Sequence, residues 1–292
     1  MKTRIQGFDL ARSFAIFGMV LVNFKLVVQA PNTTDWLTSI AHIFEGRAAP
    51  LFVMLAGVGL SFMSKQAIET NEPSRLRWQQ KQILKRGVVL AMSGLAFLSI
   101  WPADILHFYG LYFILAAFVI HWSAKKLMIL AVVGNVMFLL CILSFDYSGG
   151  WDWETLTYID LWSVGGFLRH WWFNGFHPAP VWMSFLLAGI WLGRQPMSDP
   201  SFIRTLMWRA ILVWLVVQLV SMGSNLWLKS SALSALNQET LSTLLSVSVM
   251  PPMPLYVVSV LASSIVIMTL SIELCIRFPH WKIIHYMVVA GR

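Results

Sequence analysis

The chain has 292 residues, of which 58% are apolar and only 12% charged, and a formal net charge of +8. That balance excludes an ordinary water-soluble domain of this length, and apolar runs of about 17 to 22 residues, the length a bilayer demands, recur from end to end. None of the runs alternates with period two, which excludes barrel strands and predicts an all-α, polytopic transmembrane helix bundle.

The predicted spans, in chain order, are residues 8–28, 36–64, 87–101, 104–122, 127–145, 180–193, 207–228 and 255–276, with a ninth apolar segment starting at Ile283. Only about ten residues remain for that ninth segment, too few to cross. Cytoplasmic loops collect Lys and Arg. With the N-terminus cytoplasmic, 17 of the 21 cationic residues fall inside, and Lys25, Arg47, Arg169 and Lys229 fall outside. The positive charge is therefore first a topology signal that also suits anionic membrane lipids, and it calls for no nucleic acid. A cleaved signal peptide, with Val28–Gln29–Ala30 as its cleavage site, competes for the N-terminus. Asp9, Arg12, Asn23 and Lys25 interrupt its apolar stretch and favour an uncleaved first helix. No internal repeat or low-complexity tract divides the chain, so residues 1–292 read as one membrane domain. Cys141 and Cys275 lie inside apolar spans and imply no disulfide framework.

Ionisable residues at membrane depth are costly and mark candidate sites. In the first span Arg12 and Asn23 are eleven residues apart, about three turns, and share one stripe roughly 16 Å long. Asp9 and Arg12, spaced i,i+3, are equally readable as a simple interfacial pair. In IFEGRAAPLFVMLAGVGLS, His42 and Glu45 share a helix face, Gly46 loosens the helix, and Arg47 and Pro50 follow. The stretch reads as a polar mouth over a small-residue face, or as charges snorkelling to water. In PADILHFYG, residues 102–110, Asp104 and His107 share a face, and a carboxylate one turn from an imidazole orients it for general-base work. The structural alternative is an N-cap aspartate beside a carbonyl-bonded histidine. The outer segment 146–178 carries Trp151, Trp153, Trp162, Trp171 and Trp172, with His170 and His177. It is predicted to lie partly along the interface as a short amphipathic helix. His177 precedes a proline at the entrance of the sixth span. HxxxH and HExxH spacings are missing, as are a P-loop and a G-x-S-x-G elbow, so no metal site is predicted.

Taken in order, GFDLARSFAIFGMVLVNF, GRAAPLFVMLAGVGLS, the basic run ending LKRG, DILHFYGLYF and HPAPVWMSFLLAGIWLGR resemble the YeiB-like bacterial membrane proteins. They also resemble the related transmembrane acyltransferases typified by heparan-alpha-glucosaminide N-acetyltransferase. The similarity covers roughly residues 7–194. It implies a protein of the bacterial cytoplasmic (inner) membrane that takes acetyl-CoA from the cytoplasm and delivers its acyl group to a sugar or glycan amine or hydroxyl outside. On that reading Arg12, Arg86 and Arg194 are the candidates to meet the CoA phosphates. Glu45, Arg47 and His177 line the acceptor cavity, and Asn23 of VLVNF matches an active-site asparagine of the acetyltransferase. The catalytic histidine of that enzyme follows helix one, where KLVVQAPNTTDW here has none. His42, or His107 beside Asp104, is expected to take its place, His107 having the better-placed carboxylate. The relatives continue past a Gly-Arg like Gly291–Arg292 into further helices, and a homodimer is compatible with the resemblance. A small-solute transporter, or a non-catalytic membrane partner protein, would use the same polar residues.

Overall fold

A computed structural model describes residues 4–28, 36–231 and 233–292, so Lys2, Gln29–Ala30 of the cleavage-site reading, and most of the loop after the first helix lie outside the described residues. The described residues are 76% helical and nearly all-α. Among the described residues, five helices are long and apolar enough to cross a membrane, and two shorter apolar helices accompany them.

In chain order the described helices are α1 (Gln6–Val28), α2 (Trp36–Phe44), α3 (Ala48–Glu69), α4 (Pro73–Phe97), α5 (Leu106–Val119), α6 (Ala124–Ser144), α7 (Val164–Arg169), α8 (Ala179–Gly193), α9 (Pro200–Ser230), α10 (Ala235–Leu244), α11 (Pro254–Arg277) and α12 (Lys282–Ala290). The membrane-length helices are α1, α3, α6, α9 and α11. Two departures from the sequence reading change how elements are divided. The predicted span 36–64 is broken at Gly46, whose φ of +66° is a left-handed conformation that ends α2 and turns the chain into α3. The predicted span 87–101 falls on the second half of α4, which ends at Phe97, and the first half of that helix carries the basic run Arg75–Arg86. Pro73 at the first helical position starts it, where the missing N–H costs nothing.

The chain forms two compact units, residues 1–55 with 196–292, and residues 56–195. In the first, α11 packs on α9 and α1, while α12 and α2 lie against α1. Leu10 of α1 forms a core with Ile284 and Val288 of α12. In the second, α8 is the buried centre, with every residue from Ala179 to Ile190 out of solvent, as expected of a helix apolar all round. Around it, α6 and α5 pack on α8, and α4 pairs with α5. The α4–α5 crossing is close because small residues meet: a Cβ on Gly94 would strike the backbone N of His107 and the Asp104 carboxylate. α6 and α9 are the opposite case, strongly apolar yet largely exposed, a surface suited to lipid.

The segment 146–178 contains one short helix and other elements besides. It builds a two-residue hairpin, β1 (Trp151–Asp152) antiparallel to β2 (Thr157–Tyr158), then α7 and a π-helical turn, His170–Asn174.

Candidate active site

Two acid–imidazole pairs are built on the same i,i+3 spacing. In the second unit, Asp104 sits in the turn before α5 and His107 in its first turn. Oδ2 of Asp104 accepts from the backbone N–H of His107 at 3.2 Å and lies 3.0 Å from its Nδ1. One carboxylate oxygen thus meets both a first-turn backbone N–H and the ring, while the N-cap position itself is Ile105 and not Asp104. With the proton on Nδ1 donated to Asp104, Nε2 carries the lone pair. That nitrogen is buried and has no hydrogen-bond partner among the described residues.

Two further histidines surround the pair. His170, in the π-turn, stacks on His107 with ring centroids 5.4 Å apart and planes 16° apart. His177 packs edge-on against Phe108 at 5.4 Å and Trp182 at 4.3 Å, and its carbonyl accepts from Tyr112 Oη. Burial, aided by the nearby His107 ring, pushes both His170 and His177 down to about 3, so both are neutral bases at physiological pH.

The π-turn is held by a polar network. Arg169 donates from Nη2 to both oxygens of Asp160 at 2.7 Å and from Nε to Tyr158 Oη at 2.7 Å. Tyr158 Oη donates to Asn174 Oδ1 at 2.6 Å, and Asn174 Nδ2 donates to the carbonyls of Tyr147 and Gly149. Trp151 Nε1 donates to the Asn174 carbonyl. The bond to Asp160 raises Arg169 above its ordinary value, while burial raises the Tyr158 phenol. A cleft of about 190 Å³ opens beside this network, lined by Trp151, Tyr158, Trp162, Pro102 and His170. His107 has no exposed surface; His170 is the histidine on the cleft wall, with His107 behind it. Sequence reasoning did not single out His170, Tyr158 or Asn174 as site residues. The RHWWFN stretch was visible only as an aromatic-rich interfacial segment, and nothing local pairs it with α5.

The second pair lies in the first unit and is exposed. Glu45 Oε2 lies 3.0 Å from His42 Nδ1 and accepts from Lys25 Nζ at 2.8 Å, while Nζ is also 3.2 Å from Nδ1. The carboxylate is shared between the Lys25 ammonium and the His42 ring, and the tautomer of His42 is not fixed. His42 and Arg47 both line a cavity of about 490 Å³ whose walls include Phe14, Leu51, Trp214 and Ile267. Asn23 is exposed and has no hydrogen-bond partner among the described residues.

The three candidate phosphate-binding arginines differ. Arg12 Nη1 donates to Asp9 at 3.1 Å and to the Gly291 carbonyl at 2.8 Å. Arg194 donates to the carbonyls of Trp122 and Ile120, both at 2.6 Å, capping the end of α5. Arg86 is exposed on α4 near Lys81 and Lys85, and makes no hydrogen bond among the described residues. Among the described residues no three His, Cys, Asp or Glu side chains form a metal-binding group.

No curated protein and no solved structure matches the chain. A family model, heparan-alpha-glucosaminide N-acetyltransferase, catalytic, matches residues 4–227, a stretch that runs from α1 into α9 and contains both acid–imidazole pairs. The apolar helices and this match together make the protein an integral membrane member of a transmembrane acetyltransferase-type family: the chain belongs to the heparan-alpha-glucosaminide N-acetyltransferase catalytic family.

Proposed function

We propose that the protein transfers an acetyl group from cytoplasmic acetyl-CoA to an amine or hydroxyl of a sugar or glycan on the outer side of a bacterial cytoplasmic membrane, with its N-terminus inside and eight to nine membrane passes. The observation that carries the chemistry is the His107–Asp104 pair. Its Nε2 is buried, has no hydrogen-bond partner among the described residues, and is the basic nitrogen when Nδ1 donates to the carboxylate 3.0 Å away. Nε2 takes the proton of the acceptor amine or hydroxyl as that group attacks the thioester carbonyl, and Asp104 steadies the imidazolium that forms. Collapse of the tetrahedral adduct breaks the carbon–sulfur bond, and the histidine returns the proton to the departing CoA thiolate. The exposed cations of α4, Arg86, Lys81 and Lys85, supply positive charge for the CoA phosphates. Arg12 and Arg194 already have carbonyl partners, and this favours Arg86 among the three.

One observation favours a second reading of the base. His42 is open to solvent and lines the cavity of about 490 Å³, so an acceptor would reach it without rearrangement, with Glu45 as its carboxylate and Asn23 on the same unit.

The test is acetyl transfer in sealed proteoliposomes, with labelled acetyl-CoA on one face and glucosamine or a short amino-sugar oligomer on the other. Transfer lost in His107→Gln and kept in His42→Gln supports the first reading, and the reverse pattern assigns the base to His42. Wild-type protein that neither transfers acetyl groups nor is thermally stabilised by acetyl-CoA would overturn both.

A further inference from the structure

The cavity of the first unit combines apolar walls with a cation to which the His107 reading of acetyl transfer gives no task. Phe14, Leu51 and Trp214 make its walls apolar, yet the Arg47 guanidinium stands on its lining. That group carries five N–H donors, and it makes a single hydrogen bond among the described residues, Nη1 to Ser263 Oγ at 3.3 Å. It has no carboxylate partner there, although it is half-buried. A half-buried cation without an anion is costly unless one is supplied from outside. Trp214 adds a buried Nε1–H that also has no acceptor among the described residues. The flank beside Trp214 on α9 is exposed and apolar, with Leu215 and Val216 turned outward, so the cavity borders a surface suited to acyl chains. Its volume, about 490 Å³, falls within the roughly 300–1,000 Å³ of small-molecule sites.

We propose that this cavity is a binding site for an anionic phospholipid, with the phosphate on Arg47 and an acyl chain along the apolar wall. Phosphate on arginine is the strong, charge-assisted pairing this guanidinium lacks, and the tail replaces water on Phe14, Leu51 and Trp214.

The experiment is native mass spectrometry of the full chain titrated in delipidating detergent with phosphatidylglycerol, with a diacylglycerol of the same chains, and with palmitate. The expected result is one tightly retained phosphatidylglycerol per chain and at least about tenfold weaker retention of diacylglycerol. Arg47→Gln should weaken phosphatidylglycerol by at least about tenfold, in line with a lost charge-assisted bond. Ser263→Phe, which fills the cavity from α11 and keeps Arg47, should weaken it similarly and guards against a folding defect in the first variant. Equal retention of phosphatidylglycerol by wild type and both variants would overturn the proposal, as would retention of diacylglycerol as strong as that of phosphatidylglycerol. Preferential retention of palmitate at equal concentration would also overturn it, by making the occupant a free fatty acid.

Discussion

The two acid–imidazole pairs share a spacing and a chemistry, but the His107–Asp104 pair is enclosed by aromatic rings and the His42–Glu45 pair stands in solvent beside Lys25. Enclosure makes one carboxylate serve one imidazole, fixes its tautomer and leaves Nε2 as an undivided base. Exposure makes the other carboxylate serve two partners, and water competes for all three. An i,i+3 spacing at a helix end decides that an acid and a histidine meet; the surroundings decide whether the meeting produces a catalyst or a solvated charge cluster. The largest test of this contrast is activity. His107→Gln is expected to lower kcat by about 10²–10⁴-fold, the range of a general base. Asp104→Asn should approach the same loss by allowing the wrong tautomer, whereas His42→Gln should cost less than a few-fold; a kinetic comparison of the three in one vesicle preparation decides it.

The next effect is on acid stability and comes from the buried histidines of the enclosed region. His170 and His177 are held near 3 when folded and return to about 6.5 when unfolded. Above pH 6.5 neither state binds the proton and their neutral burial costs nothing. Between about 6.5 and 3 the unfolded chain takes up protons that the folded one refuses, so stability falls as pH falls, by about 1.4 kcal/mol per pH unit per histidine. Thermal melts at pH 7.5, 6.5 and 5.5 should show this loss between the last two values. His170→Gln, which cannot titrate, should roughly halve the slope; an unchanged slope would show that the ring is not buried as a neutral base.

Smaller effects probe the scaffold that encloses the pair. Gly94→Ala places a Cβ against the His107 backbone and 2.6 Å from the Asp104 carboxylate, and neither is a flexible tip that can move aside. The expected cost is about 3 kcal/mol, at the upper end of ordinary overpacking, with a parallel loss of activity because α5 is displaced. Arg194→Ala removes two short bonds to the end of α5. It should cost about 1.5–3 kcal/mol, seen as a lower melting temperature in the absence of any acyl donor. If Arg194 met the CoA phosphates instead, its loss would change acetyl-CoA affinity and leave the ligand-free melt alone.

Much of this organisation was legible in the sequence, and the reasons for the rest are physical. Apolar runs of bilayer length gave away α1, α6, α9 and α11, and period-3.6 arithmetic put Asp104 next to His107 and His42 next to Glu45. The break at Gly46 was harder, because the hydropathy on either side is continuous and only the glycine's left-handed backbone separates α2 from α3. The first half of α4 is helical without being apolar, so a search for spans began it at the wrong residue. His170 was unreadable as a site residue because its partner lies on another helix far along the chain. The π-turn that aims it is held by the Asp160–Arg169–Tyr158–Asn174 network, whose members are ordinary polar residues until they meet.

The smallest predicted effect sharpens the comparison from the exposed side. Glu45→Gln removes the shared carboxylate charge from Lys25 and His42, yet the side chains of the trio are 26%, 61% and 42% exposed for Lys25, His42 and Glu45. In water such pairs contribute about 0.2–1 kcal/mol and are screened by salt. The melting temperature should therefore barely move, and what change there is should shrink further as ionic strength rises toward 1 M, where the Debye length is about 3 Å. A null effect on stability makes the variant a clean probe of function. If His42 were the base, Glu45→Gln would depress transfer strongly in a protein that melts like the wild type. If the enclosed pair does the chemistry, Glu45→Gln is close to silent in both measurements, and Asp104→Asn, the same change of charge at the same spacing, is silent in neither.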